Sequence, residues 1–253
     1  MLGIGFSHLR RPGEPLVQAT PTEGGYCLDG RAPWVTGWAS FDEFVMGATL
    51  PDGRALYGLV PLQDADCAGG GTVRCSEPMD LAAMGSTNTV SVELAGWLLP
   101  AERVLAVRPA DRLQQRDRQT VLNHGFFALG CARAALDIVA AARERKPLAA
   151  LQQAWQALDA ELTGCREAMF AALEAEQSVF EQRLQLRSQA IELAGRCAQA
   201  AVVASGGAAA ATSHPAQRVY CEALAFAVFG QTRAVMETSL ARLSGCGGEA
   251  SAG

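Results

Sequence analysis

Lysine is nearly missing from this chain. Lys146 is the only one, so every other side-chain cation at neutral pH is an arginine or a protonated histidine. With a net charge of −5, that scarcity excludes lysine-rich phosphate clusters, polybasic membrane patches and the clustered positive charge of a nucleic-acid footprint. Histidine is also scarce. His8, His124 and His214 are far apart in sequence, and no converging ligand set for a metal is legible. No two cysteines form a C-x-x-C pair, which argues against zinc-ribbon and thioredoxin-like readings. No apolar run has the length of a bilayer-spanning helix. The apolar start at the N-terminus is followed, not preceded, by Arg10 and Arg11, the reverse of a signal peptide. A cytoplasmic location is therefore expected. There is no internal repeat.

The chain has 253 residues, 49% of them hydrophobic, enough for one large domain or two ordinary ones with substantial cores. Its eight cysteines are Cys27, Cys67, Cys75, Cys131, Cys165, Cys197, Cys221 and Cys246. In a chain of this size and expected location they read as reduced thiols, acting as small buried apolar groups.

Composition divides the chain near Pro109. Residues 1–108 hold most of the glycine and proline, between short strand-like runs: Tyr26–Leu28, Phe44–Thr49, Leu56–Val60 and Val90–Leu94. Turn signals separate them at Asp29-Gly30, Pro51-Asp52-Gly53 and Gly69-Gly70-Gly71. Asp52-Gly53 predicts a hairpin. A small antiparallel β-barrel or sandwich is expected here. Residues 109–243 are rich in Ala, Leu, Gln, Glu and Arg, all strong helix formers. Four helices are expected, over about 111–145, 147–175, 178–205 and 213–243, with Pro147 forcing a break and Ser213 capping the last. Tyr220, Leu224, Val228 and Val235 recur at helical spacing on one face. Long helices with short connections make an antiparallel four-helix bundle. The fold class is α+β. Residues 244–253, rich in Gly, Ser and Ala, read as a disordered tail.

Three segments make the reading more specific. Residues 24–38, GGYCLDGRAPWVTGW, resemble the central strand region of acyl-CoA dehydrogenases. Residues 81–105, LAAMGSTNTVSVELAGWLLPAERVL, resemble the segment that closes the same β domain. Residues 206–243, beginning GGAAAATSHPAQRVYCEALAFAVFGQT, resemble the last bundle helices of that family. The order is the family's, and the three span most of the chain. The resemblance begins at the β domain, which implies that the family's N-terminal helical domain is absent here. It also implies a partner chain that supplies that domain, or self-association as a dimer or tetramer.

The resemblance further implies FAD. Trp34 would cover the flavin ring and Thr36 would donate to a ring atom. Arg145 would meet the pyrophosphate, although Leu148-Ala149 replace the family's Phe-Gly. Gly206 and Gly207 would let backbone approach the cofactor, and Thr232 would contact its phosphate or adenine. Bland readings stand beside these: a core tryptophan, a strand threonine, a solvated arginine and a helix-capping glycine pair. Removing a Cα proton from an acyl thioester needs a base. The family's two base positions fall on Gly230 and Thr120, neither of them acidic. Asp117, Glu222 and Glu237 are nearby in sequence but read as solvated or ion-paired. His124, one turn after Thr120 and beside Asn123, is a further polar candidate, as in flavin monooxygenases of this fold. The implied function is a flavin-dependent oxidoreductase of the CH–CH donor type acting on an acyl-CoA or related substrate. The alternatives are a non-catalytic scaffold or partner subunit of a heteromeric complex, and a flavin monooxygenase.

Overall fold

The computed structural model describes residues 1–67, 69–175 and 179–245. Its contacts divide into two units, Met1–Arg116 and Asp117–Gly253.

The first unit is built on one sheet. Its strands are β1 (Gly3–Gly5), β2 (Val17–Thr22), β3 (Gly25–Val35), β4 (Glu43–Thr49), β5 (Ala55–Pro61), β6 (Ala65–Asp66), β7 (Thr72–Cys75), β8 (Val90–Pro100) and β9 (Val104–Arg108). They are ordered β6-β7-β8-β3-β2-β4-β5-β9, with β1 beside β4. Pairing is antiparallel except for β1 and β2 against β4. Phe44, Met46 and Ala48 alternate inward along β4 and meet Leu28, Leu56, Val60, Val92 and Leu99 in one core. The Asp52-Gly53 hairpin forms as expected: Thr49 pairs with Ala55, and the Gly53 amide donates to Leu50 O at 2.9 Å.

The turn expected at Asp29-Gly30 is not a turn. It is an irregularity inside the eleven-residue β3, where the register against β8 slips. Gly30 has φ +124°, and a Cβ there would lie 2.1 Å from the Leu16 carbonyl oxygen. The position bends the strand and brings β2 backbone against it, a bulge role for which only glycine has room.

The second unit contains α2 (Gly125–Arg145), α3 (Ala149–Glu174), α4 (Phe180–Ser205), α5 (Pro215–Val228) and α6 (Arg233–Leu243); α1 (Arg112–Gln119) leads into it. Helix α4 packs on α2, α3, α5 and α6. Its face toward α2 is mostly alanine: Ala190, Ala194, Ala198 and Ala201 are fully buried, as are Ala128, Ala132 and Ala135 of α2. Small side chains on both helices permit close approach. Leu136, Met169 and Leu193 fill the remaining core. By length and composition α2 could cross a membrane, contrary to expectation, but half of its apolar window is buried in this core.

The expected first and last helices are each two helices. The first breaks at residues 120–124 and the last at 229–232. The last begins one residue later than expected, with His214 as its cap: Nδ1 accepts from the Ala216 amide at 3.1 Å. Ser178 and residues 246–253, including Cys246, lie outside the described residues. The apolar stripe expected on the last helix faces outward over α5. Ala216, Val219 and Ala223 turn inward, whereas Tyr220, Leu224 and Val228 are exposed; only Val235 of the predicted set is buried.

Candidate functional site

On the β unit, Trp34 near the end of β3 and Thr36 just beyond it flank buried Val35 in the chain. Trp34 is 45% exposed, an unusual state for so large an apolar ring. Thr36 pairs with Ile4, whose carbonyl accepts from the Thr36 amide at 3.2 Å. Ile4 is itself exposed, so Ile4, Trp34 and Thr36 form one outward apolar patch with a hydroxyl in it. Among the described residues the Thr36 hydroxyl has no hydrogen-bond partner.

The backbone beyond Thr36 is unusual. Gly37 and Trp38 amides donate to Thr87 O and Asn88 O at 2.8 and 3.2 Å. Thr87 Oγ1 donates to Met84 O at 2.7 Å and meets Thr89 Oγ1 at 2.8 Å. Ala39, Met84 and Asn88, with φ +60°, +62° and +41°, are the non-glycine residues in the left-handed region among the described residues. All belong to these two linked segments. Such backbone costs free energy and persists where surrounding contacts hold it, often at functional sites.

On the helical unit, the two helix breaks meet. Arg187 of α4, only 2% exposed, donates to Val121 O at 3.2 Å, Phe229 O at 2.8 Å and Gly230 O at 3.0 Å. One buried guanidinium thus binds carbonyls from both breaks, where helical hydrogen bonding is interrupted. His124, the residue before α2, lies directly against Gly230. A Cβ at 230 would be 2.8 Å from its Cε1 and 2.9 Å from its Nε2. Gly230 also has φ +58°. Around the imidazole, Phe229 and Phe127 lie at 5.4 and 6.3 Å between centroids. Phe226 stacks on Phe127 at 6.0 Å.

The other sequence candidates fall as follows. Thr120 is in the first break, its carbonyl accepting from the Asn123 amide at 3.0 Å. Asp117 is on α1. Glu222 and Glu237 form i,i+4 pairs with Arg218 at 3.5 Å and Arg233 at 2.7 Å. Thr232 caps α6, its Oγ1 accepting from the Val235 amide at 3.4 Å, which leaves the hydroxyl proton available. Arg145 is the exposed last residue of α2. Its neighbour Lys146 donates from Nζ to Ala204 O at 3.1 Å, at the end of α4. Gly206 terminates α4, and a Cβ on Gly206 or Gly207 would meet open space. Trp34 with Thr36 in the β unit, and His124 with Gly230 in the helical unit, are brought together; within the helical unit Arg145 and Thr232 have no described contact with His124 or Gly230.

Sequence reasoning missed Arg187 and the phenylalanine cluster. The signal for Arg187 was present: it stands three residues after Leu184 and four before Ile191, on an apolar stripe. A cation on such a stripe must find buried acceptors. The thiols follow expectation where they are buried. Burial pushes Cys131 up to about 12, and Cys165 and Cys197 up to about 11. No metal-ligand cluster occurs among the described residues.

No protein-family model matches the chain, and no curated protein sequence matches it. Solved structures do. Glutaryl-CoA dehydrogenase from Mycobacterium smegmatis matches with a TM-score of 0.75 at 17% identity, over 97% of this chain and 66% of that one. Butyryl-CoA dehydrogenase from Megasphaera elsdenii matches at 0.74 and 16% identity, over 96% and 68%. The ChsE4-ChsE5 complex from Mycobacterium tuberculosis matches at 0.70 and 23% identity, over 95% and 64%. The chain spans about two thirds of the length of these relatives. It has the acyl-CoA dehydrogenase fold, in the form of that fold's β domain followed by its helical bundle.

Proposed function

We propose that this chain is a flavin-dependent oxidoreductase that dehydrogenates an acyl-CoA or related thioester. The observation that carries the reading is the outward Trp34–Thr36 pair, whose hydroxyl is uncommitted and whose flanking backbone is held in left-handed conformations. These features fit FAD. Trp34 offers an apolar wall and Thr36 a donor. Arg145 offers a planar fork for a pyrophosphate. Gly206 and Gly207 offer backbone with no side chain above it, and Thr232 a hydroxyl proton. When bound, the flavin would supply a two-electron acceptor.

Self-association belongs to the same reading. Helix α5 presents Tyr220, Leu224 and Val228 to the outside, an apolar stripe that a second copy would cover. A cytoplasmic setting, in which thiols stay reduced, belongs to the same reading.

A second reading is a partner subunit of a two-chain assembly. The exposed Ile4–Trp34 patch favours it, and one structural match is itself a complex of two named components.

The test is an absorption spectrum before and after incubation with FAD and dialysis. Retained flavin bands, bleached by acyl-CoA without oxygen, support the first reading. A protein that stays colourless supports the second.

A further inference from the structure

We propose that His124 is the proton acceptor of the reaction proposed above; this rests on that oxidoreductase reading. The first reason is steric. A Cβ on residue 230 would fall within 3.1 Å of three imidazole ring atoms. The imidazole and any side chain at 230 therefore compete for one volume, and in this chain the imidazole has it.

The second reason is how the ring is held. His124 and Gly230 belong to the two helix breaks, and Arg187 binds carbonyls of both. A guanidinium locked by three carbonyls fixes the loop that fixes the ring, the kind of supporting contact a reacting group needs. The third reason is the surroundings. Phe127 and Phe229 lie against the imidazole, with Phe226 packed behind both, and Phe127 and Phe229 are each about half exposed, at 53% and 48%. An apolar acyl chain can lie along these rings with its Cα toward the one polar ring among them. A neutral imidazole has a ring nitrogen able to accept a proton there.

In the step assigned to His124, the Cα–H bond of the thioester breaks and its proton moves to an imidazole nitrogen. The freed electron pair would become the second bond between Cα and Cβ as hydride left Cβ, and the flavin of the reading above would supply the two-electron acceptor for that hydride.

The test separates this step from redox turnover. A 3-thia-acyl-CoA carries sulfur in place of Cβ, so hydride loss is blocked and only α-proton exchange remains. With the flavin-loaded protein in D2O, we expect deuterium at Cα, read by NMR. His124→Gln and His124→Asn should slow the exchange on the order of a hundredfold, with flavin bands and circular dichroism retained. The double variant His124→Ala, Gly230→Glu places a carboxylate in the vacated volume and should recover at least about tenfold of that loss. Exchange at the wild-type rate in a flavin-loaded His124→Gln overturns the assignment and leaves the oxidoreductase reading standing. So does a wild-type protein that holds flavin, is bleached by acyl-CoA and exchanges no α-proton. A protein that binds no flavin overturns both.

Discussion

A single nitrogen of Arg187 reaches two successive carbonyls, Phe229 O at 2.8 Å and Gly230 O at 3.0 Å. The bent segment between α5 and α6 is thereby tied to the middle of the bundle. Arg187→Met keeps the length of the side chain and removes every donor. Leaving these acceptors buried without partners is expected to cost about 3 kcal/mol. Urea unfolding followed by far-UV circular dichroism measures this loss; an unchanged midpoint would show that the carbonyls find other donors.

Gly230→Ala is expected to destabilise the helical unit by about 1–2 kcal/mol, because φ +58° disfavours a Cβ and the new atom meets the imidazole. The two causes separate in a double-mutant cycle. His124→Ala should relieve the steric part alone, so the two changes together should cost less than their sum. Strict additivity in the unfolding free energies would mean that the ring moves aside freely.

His8 supplies the pH dependence. It is buried, its Nε2 lies 2.9 Å from Gly47 O, and its Nδ1 has no partner among the described residues. Burial holds its pKa below the ordinary value of 6.5. The unfolded chain therefore binds this proton more readily than the folded one. The stabilising contribution is complete above about pH 6.5, declines as pH falls below it, and levels off below the lowered folded value. Unfolding of the β unit across this range, in wild type and His8→Gln, is the measurement. The slope assigned to His8 should vanish in the variant.

The thiols should divide by reactivity. Cys131, Cys165 and Cys197 are buried with raised pKa values and are expected to resist alkylation in the native protein. Cys67 should react early, because backbone amides, Leu98 first, hold its pKa below the ordinary range. Mass spectrometry after a brief iodoacetamide pulse would order them. Labelling of Cys197 ahead of Cys67 would contradict the burial described.

The fold was legible where pattern and propensity agree. Phe44–Thr49, Asp52-Gly53 and Leu56–Val60 state a hairpin through alternation and turn chemistry, and it forms. The alanine- and leucine-rich second half states helices. Interruptions were harder to read. Asp29-Gly30 carries the same letters as a turn, yet the approach of Leu16 backbone makes it a bulge, a fact of tertiary contact. The break at 229–232 has no proline, and its cause is Gly230 together with a guanidinium forty-three residues away in sequence. The apolar spacing of Tyr220, Leu224 and Val228 marked a real stripe but not which way it faces. The alanines of α5 pack inward because α4 approaches closely. Trp34 and Thr36 were singled out by the resemblance of residues 24–38, not by strand alternation. The contact of His124 with Gly230 depends on two helix breaks meeting and could not be read from either segment alone.

The pairing of β3 with β8 joins Gly25 to Pro100 and Val35 to Val90, and β9 returns to lie beside β5. Each contact closes a long loop before it gains anything, whereas the helices of the second unit are nucleated by neighbours a few residues away. The two halves of this chain should therefore keep different time during folding, with the helices formed early and the sheet completed last. The residues around Thr36, fixed by segments fifty positions apart, would be among the final parts of the molecule to take shape.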